Sequence, residues 1–122
     1  MPKFGARSNA CLVTCAQPLV LLAQRAILSY DFSVIEGHRP EDVQNGYFVS
    51  GASKVRWPDS RHNTDPSEAF DIVPYPIDWK ALHRFHELAD IIKRCAGDLE
   101  IEIDWGYDLW KWDMPHWQLR RS

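Results

Sequence analysis

The stretch Asp78–Asp104, DWKALHRFHELADIIKRCAGDLEIEID, changes its hydrophobic period partway along. Trp79, Leu82, Phe85, Leu88, Ala89 and Ile92 recur at the spacing that places apolar side chains on one face of a helix. Asp78 is a suitable N-cap for it and Gly97 a suitable end. Leu99, Ile101 and Ile103 then alternate with Glu100, Glu102 and Asp104. That alternation predicts a strand with one face on the core and one in water. Both periods in one stretch mean a chain that packs helices against a sheet.

Reading outward, Ala69–Val73 is a second strand, closed by Pro74 and Pro76. Before it, residues 51–68 are rich in turn formers, among them Gly51, Pro58, Asn63, Asp65 and Pro66. A loop that long in a compact domain is functional or disordered. Pro40 opens a helix to about Val49, ended by Gly51. Phe32–Ile35 reads as a short strand that stops at Gly37. Pro18 suits a first helical turn, and Leu19, Leu22, Ala23, Ala26 and Ile27 carry that helix to about Ser29. Beyond Asp104, a turn-like Asp108–Pro115 leads into a last strand at His116–Leu119. The expectation is α+β: one domain over residues 1–122, with a small, mostly antiparallel sheet flanked by about three helices. No internal repeat, low-complexity tract or linker interrupts it.

Composition narrows the functional classes. A chain of 122 residues with 45% hydrophobic and 25% charged residues is ordinary for one soluble domain. A net charge of −3 gives no electrostatic case for nucleic acid. The three cysteines, Cys11, Cys15 and Cys95, form no disulfide framework and read as small buried apolar residues. Cys11 and Cys15 are four apart and would share a face if both lay on a helix. The apolar run Cys11–Ala23 is broken by Thr14, Gln17 and Pro18 and lacks a small-residue cleavage site, so no export signal is expected. No window is long and apolar enough for a membrane span. Six tryptophans are many for this length. Most should be core or pocket wall, with a sugar-stacking platform as the sharper alternative.

Five histidines can do chemistry: His38, His62, His83, His86 and His116. A hydrolytic zinc site takes three protein ligands and leaves one position open. His62 on the loop is followed by Asp71 on the next strand, with Ala69 two positions before it on the same face, where a small side chain leaves room. Asp113 and His116 are three apart, which on a flat strand would set them on opposite faces. Pro115 and the extended bias it places on Met114 make a kink there, which can turn both inward. His83 and His86 form a rival pair on a helix, although not in the His-Glu-x-x-His arrangement; a solvated helix face is the simpler reading. Arg39 has a simple reading too, a surface ion pair with Glu36 or Glu41.

Ser60-Arg61-His62, Ala69-Phe70-Asp71 and Asp113-Met114-Pro115-His116 together resemble the signature of the zinc peptidases that unite D-alanyl-D-alanine carboxypeptidases with phage L-alanyl-D-glutamate endopeptidases. Glu36-Gly37-His38-Arg39, Gln44 with Gly51-Ala52-Ser53, Trp105-Gly106 and His116-Trp117-Gln118-Leu119 extend the resemblance. Phe4-Gly5-Ala6-Arg7-Ser8 and Asp31-Phe32 point to the phage endolysin branch. The gap of nine residues from His62 to Asp71 is longer than is usual in the family, and a loop absorbs such an insertion at small cost. The resemblance implies the peptidase fold shared with Hedgehog-like domains, and a zinc ion on His62, Asp71 and His116. It implies Asp113 as general base, Arg39 on the carbonyl or oxyanion, and Ser53 with Arg39 in substrate binding. The implied substrate is the peptidoglycan stem peptide, cut between L-alanine and D-glutamate. Carboxypeptidase trimming of terminal D-alanine, or a non-catalytic module stapled by zinc, are the alternatives. A monomer is expected, accumulating in the host bacterial cytoplasm before lysis, without membrane insertion.

Overall fold

The computed structural model describes residues 2–121. Its elements run α1 (Ala6–Leu12), α2 (Gln17–Ala26), β1 (Phe32–Glu36), α3 (Glu41–Ser50), a 3-10 turn (Arg61–Asn63), β2 (Ala69–Pro74), α4 (Leu82–Asp98), β3 (Ile103–Trp105), α5 (Gly106–Trp110) and β4 (His116–Leu119). The four strands pair antiparallel in the order β1-β2-β4-β3. The expected α+β architecture is present, with five helices in place of about three.

Cross-strand register divides the sheet into two chemically different faces. Phe70 pairs with Trp117, and Trp117 with Trp105; residues directly opposite one another share a face. The two indoles stack with ring centroids 5.5 Å apart. Against this face α4 places Phe85, Leu88, Ala89 and Ile92, and α2 backs it with Leu19, Leu22, Ala23 and Ala26, all buried. One residue along, Asp71 pairs with His116 and so faces the other way. β1 carries a bulge: Val34 pairs with Ile72 but Glu36 with Asp71, so two steps on one strand meet one on the other. The bulge brings Glu36 into the same row as Asp71 and His116.

Local expectations need four corrections. The segment Asp108–Pro115 is not turn throughout, because α5 runs on to Trp110 before the chain turns at Lys111. α4 starts at Leu82 with Ala81 as its N-cap, while Asp78 accepts a hydrogen bond from the Lys80 amide within a preceding turn. The alternating run Leu99–Asp104 is a strand only from Ile103. Leu99 caps α4 and Glu100 takes a left-handed conformation at φ 57°, so the chain turns before it can pair. Cys11 and Cys15 are not on one helix, because α1 ends at Leu12; Cys15 lies beyond it and is bridged to Ser67. All three thiols are free, and Cys15 and Cys95 are buried as expected.

The loop from Gly51 to Glu68 is ordered by polar contacts. Gly51 ends α3 in the left-handed conformation at φ 85°. Ser60 caps the 3-10 turn by accepting from the His62 amide. Asn63 donates to the Arg39 carbonyl and to Gln44 Oε1. Ser67 donates its amide to the Thr14 carbonyl. These ties hold His62 against the polar face of the sheet.

Candidate metal centre and cleft

His62, Asp71 and His116 converge from three elements: the 3-10 turn, the middle of β2 and the start of β4. His62 Nε2 is 3.1 Å from Asp71 Oδ1 and 3.2 Å from His116 Nδ1, and His116 Nδ1 is 3.2 Å from Asp71 Oδ1. Both imidazoles are buried. Among the described residues this is the group of three or more ligand-type side chains close enough to share an ion.

The outer nitrogens of the two rings fix what the inner ones present. His62 Nδ1 lies 2.8 Å from the Gly37 carbonyl, which can only accept, so that nitrogen carries the proton. His116 Nε2 lies 2.9 Å from Gln118 Oε1 and donates to it in the same way. Each neutral ring then points a lone pair inward, toward a carboxylate oxygen that is also an acceptor. Three acceptors at 3.1–3.2 Å repel one another unless a cation sits among them. A tetrahedral ion with ligands at about 2.0–2.1 Å would separate those ligands by roughly 3.3–3.4 Å. The observed triangle fits such an ion, and the partners that fix the tautomers are those a metal-binding histidine requires.

Electrostatics agree with the geometry. Burial alone would raise the Asp71 carboxyl, but the charges of His62 and His116 and their hydrogen bonds outweigh it and hold the group well below the usual carboxylate range. Burial alone would lower the His116 imidazole, yet its hydrogen bond to Asp71 and the Asp71 charge push it up.

The triad opens on a cleft of about 440 Å³. Asp113, Arg39, Ser53, Trp110 and Trp112 are among the side chains on its walls. Burial raises the Asp113 carboxyl above its ordinary value, while His116, His62 and Arg39 act to lower it. The turn at Met114-Pro115 brings Asp113 and His116 to one cavity, as the kink implied. Gly106 makes that turn fit: a Cβ there would stand 2.5 Å from the Asp113 carbonyl oxygen, 3.0 Å from His116 Cβ and 3.1 Å from Asp113 Cβ. Trp105 Nε1 donates to the Met114 carbonyl and pins the same turn from the core side.

Arg39 is buried, so its ion pair is with Glu36 and lies beneath the surface that the sequence reading gave it. Its guanidinium donates from Nε and Nη2 to Glu36 Oε1 and from Nη1 to Gln44 Oε1, and it lies over the Tyr47 ring. Gln44 passes the contact on, donating from Nε2 to Ser53 Oγ and to the Val55 carbonyl. The Ser53 hydroxyl in turn donates to the Val55 carbonyl, so it shapes the loop that forms the wall. Ala69 shares the Asp71 face as expected, but it is fully buried opposite Gln118 and does not reach the cleft.

The remaining histidines stand apart from this group. His86 packs edge-on against Trp105 and Tyr107, and neither it nor His83 is part of the triad. His38 Nδ1 lies 2.9 Å from the Thr64 carbonyl and tethers the loop. Three contributors went unread in sequence: the Gly37 carbonyl, Gln118 as partner of His116, and Gly106 as the space for the Asp113 turn. Gln118 had a signal, since residues two apart on a strand share a face.

The chain has counterparts among known proteins. No curated protein matches the chain. Among solved structures, the Serratia marcescens L-Ala D-Glu endopeptidase ChiX is similar at a TM-score of 0.83 and 29% identity, over 97% of this chain and 90% of that one. The family described as phage L-alanyl-D-glutamate peptidase matches residues 1–118. The chain belongs to the phage L-alanyl-D-glutamate peptidase family and is a peptidoglycan peptidase.

Proposed function

We propose that the chain cuts the amide between L-alanine and D-glutamate in the peptidoglycan stem peptide, using a zinc ion held by His62, Asp71 and His116. The observation that carries the reading is the triangle of inward lone pairs at 3.1–3.2 Å beside Asp113 and Arg39 in one cleft. When bound, zinc supplies a Lewis acid that polarises a carbonyl and makes water acidic enough to attack near neutral pH.

The protein groups supply the rest. The Asp113 carboxylate takes the proton of the attacking water and delivers it to the departing amine as the C–N bond breaks. Three of the five Arg39 N–H groups go to Glu36 and Gln44, which leaves two for the scissile carbonyl oxygen as negative charge develops there. Glu36 and Gln44 fix that guanidinium in place, so no reorganisation is needed during the reaction. Ser53 meets substrate as part of the wall, its hydroxyl being engaged within the loop.

The names of the family and of the Serratia neighbour support the choice of bond. Release of terminal D-alanine is the second reading, and a module that only grips wall peptide has no use for a fourth group, the Asp113 carboxylate, in the cleft beside its metal group. The proposal includes a monomer that waits in the host cytoplasm until lysis; no helix among the described residues is long and apolar enough to cross a membrane. Mass spectrometry of fragments from purified peptidoglycan tests the reading. It predicts new L-alanine carboxyl and D-glutamate amino ends that disappear with a chelator. Free D-alanine as the sole product, or unchanged cleavage in chelator, would overturn it.

A further inference from the structure

The cleft has an aromatic wall that the reaction does not use. Trp110 and Trp112 stand on it, 47% and 53% exposed, with ring centroids 6.5 Å apart. Trp110 leans against His116 at 5.4 Å between centroids. Between the two indoles Lys111 adopts a left-handed conformation at φ 69°, which turns the chain at the end of α5. Lys54, on the loop after α3, holds its ammonium 5.9 Å from the centre of the Trp112 ring. Indoles normally contribute by burial. Two of them left half in water on the lip of a cleft mark a surface that something covers.

We propose that this wall is a subsite for the muramyl sugar, the pyranose from which the stem peptide hangs. The inference rests on the reading that the cleft cuts beside L-alanine. In that substrate only L-alanine and a lactyl ether separate the scissile amide from the sugar ring. With about 3.5 Å per residue, the ring begins roughly 7 Å from the reacting carbon. Trp110 stands 5.4 Å from the His116 ring and Trp112 6.5 Å beyond Trp110, so a sugar that begins at that reach meets the two indoles. A pyranose has flat C–H faces that suit an indole, and a rim of hydroxyl and N-acetyl oxygens that accept from the Lys54 ammonium. Contact so far from the reacting bond holds that bond in register with the base. A D-alanyl-D-alanine terminus has no sugar within that reach, so the same wall would select the bond to be cut.

The test compares kcat/KM for a muramyl peptide and for the free peptide of the same sequence, with products identified by mass spectrometry. The wild type should prefer the muramyl form by about tenfold, the gain expected when remote contacts position the reacting group. Trp112→Ala should cost the muramyl peptide about tenfold more in kcat/KM than it costs the free peptide, erasing the preference, and Trp112→Tyr, which keeps a stacking ring, should retain most of it. Lys54→Ala, which keeps both indoles but removes the ammonium beside Trp112, should reduce the preference. Correct products with equal rates on both substrates would overturn the subsite, as would equal losses on both in Trp112→Ala. Products with other ends would instead overturn the assignment of the bond.

Discussion

Replacing Gly106 with alanine adds one methyl group where the turn that carries Asp113 and His116 already fills the space. The new Cβ would stand 2.5 Å from the Asp113 carbonyl oxygen and about 3 Å from the Cβ atoms of both His116 and Asp113. Ordinary contacts of this kind begin near 3.4 Å, so the 113–116 segment must retreat by about half an ångström or more. Gly106 opens α5 and does not occupy the left-handed region, so the backbone itself accepts alanine. The whole effect is therefore steric. Metal–ligand distances tolerate only about 0.2 Å, so a shift of His116 on that scale opens the triangle. Reacting groups displaced by about 1 Å lose on the order of 100-fold in rate; about half that shift predicts a loss of tenfold or more. Overpacking should lower stability by about 1–3 kcal/mol. Gly97 in α4 is the control, because a Cβ there meets nothing within 4 Å. Gly97→Ala should be neutral or stabilising by up to about 1 kcal/mol. The assay is muropeptide hydrolysis with zinc titration and thermal unfolding on both variants. Gly106→Ala with wild-type turnover and metal affinity would refute the packing argument.

Asp113→Asn should lower kcat by about 10²–10⁴-fold while one zinc per chain and the melting temperature are retained; a variant as active as wild type would remove the base from that position. Gln118→Leu leaves the His116 Nε2 proton without its acceptor and should weaken zinc binding by about 10–100-fold, measured by competition with a chromophoric chelator. The metal-free chain should be most stable between about pH 4 and pH 6.5, the unfolded values of aspartate and histidine. Asp71 is held below its unfolded value, so its contribution is present above about pH 4 and lost as pH falls further. His116 is raised, so its contribution is full below about pH 6.5 and lost as pH rises through its folded value. Zinc displaces the His116 proton, so its affinity should climb with pH across the range in which the metal-free chain weakens. Urea unfolding at a series of pH values, with and without zinc, checks both slopes.

The elements with strong period were legible in residues alone, and the failures have local causes. Ala69–Val73 read correctly because a short apolar run between turn formers suits a strand buried on both faces, which β2 is. The run after α4 failed because alternation records side chains and not the backbone turn at Glu100 that precedes pairing. α1 was missed because ARSNACL carries no apolar stripe, and the helix is held by packing against β1. At the site, His62, Asp71, Asp113 and His116 were visible as chemistry, but only the β2–β4 register shows that Asp71 and His116 are neighbours. The Gly37 carbonyl has no side-chain signature at all, although it fixes which nitrogen of His62 faces inward. The role of Gly106 becomes visible only when the Asp113 turn is folded against it.

The central claim is that His62, Asp71 and His116 hold one catalytic zinc ion, and metal content measured in parallel with muropeptide hydrolysis tests it most directly. The account predicts one zinc per chain in active protein, loss of both metal and activity in His116→Ala, and recovery of chelated wild type on adding zinc back. Chelated, zinc-free protein that hydrolyses stem peptide at the original rate would contradict it.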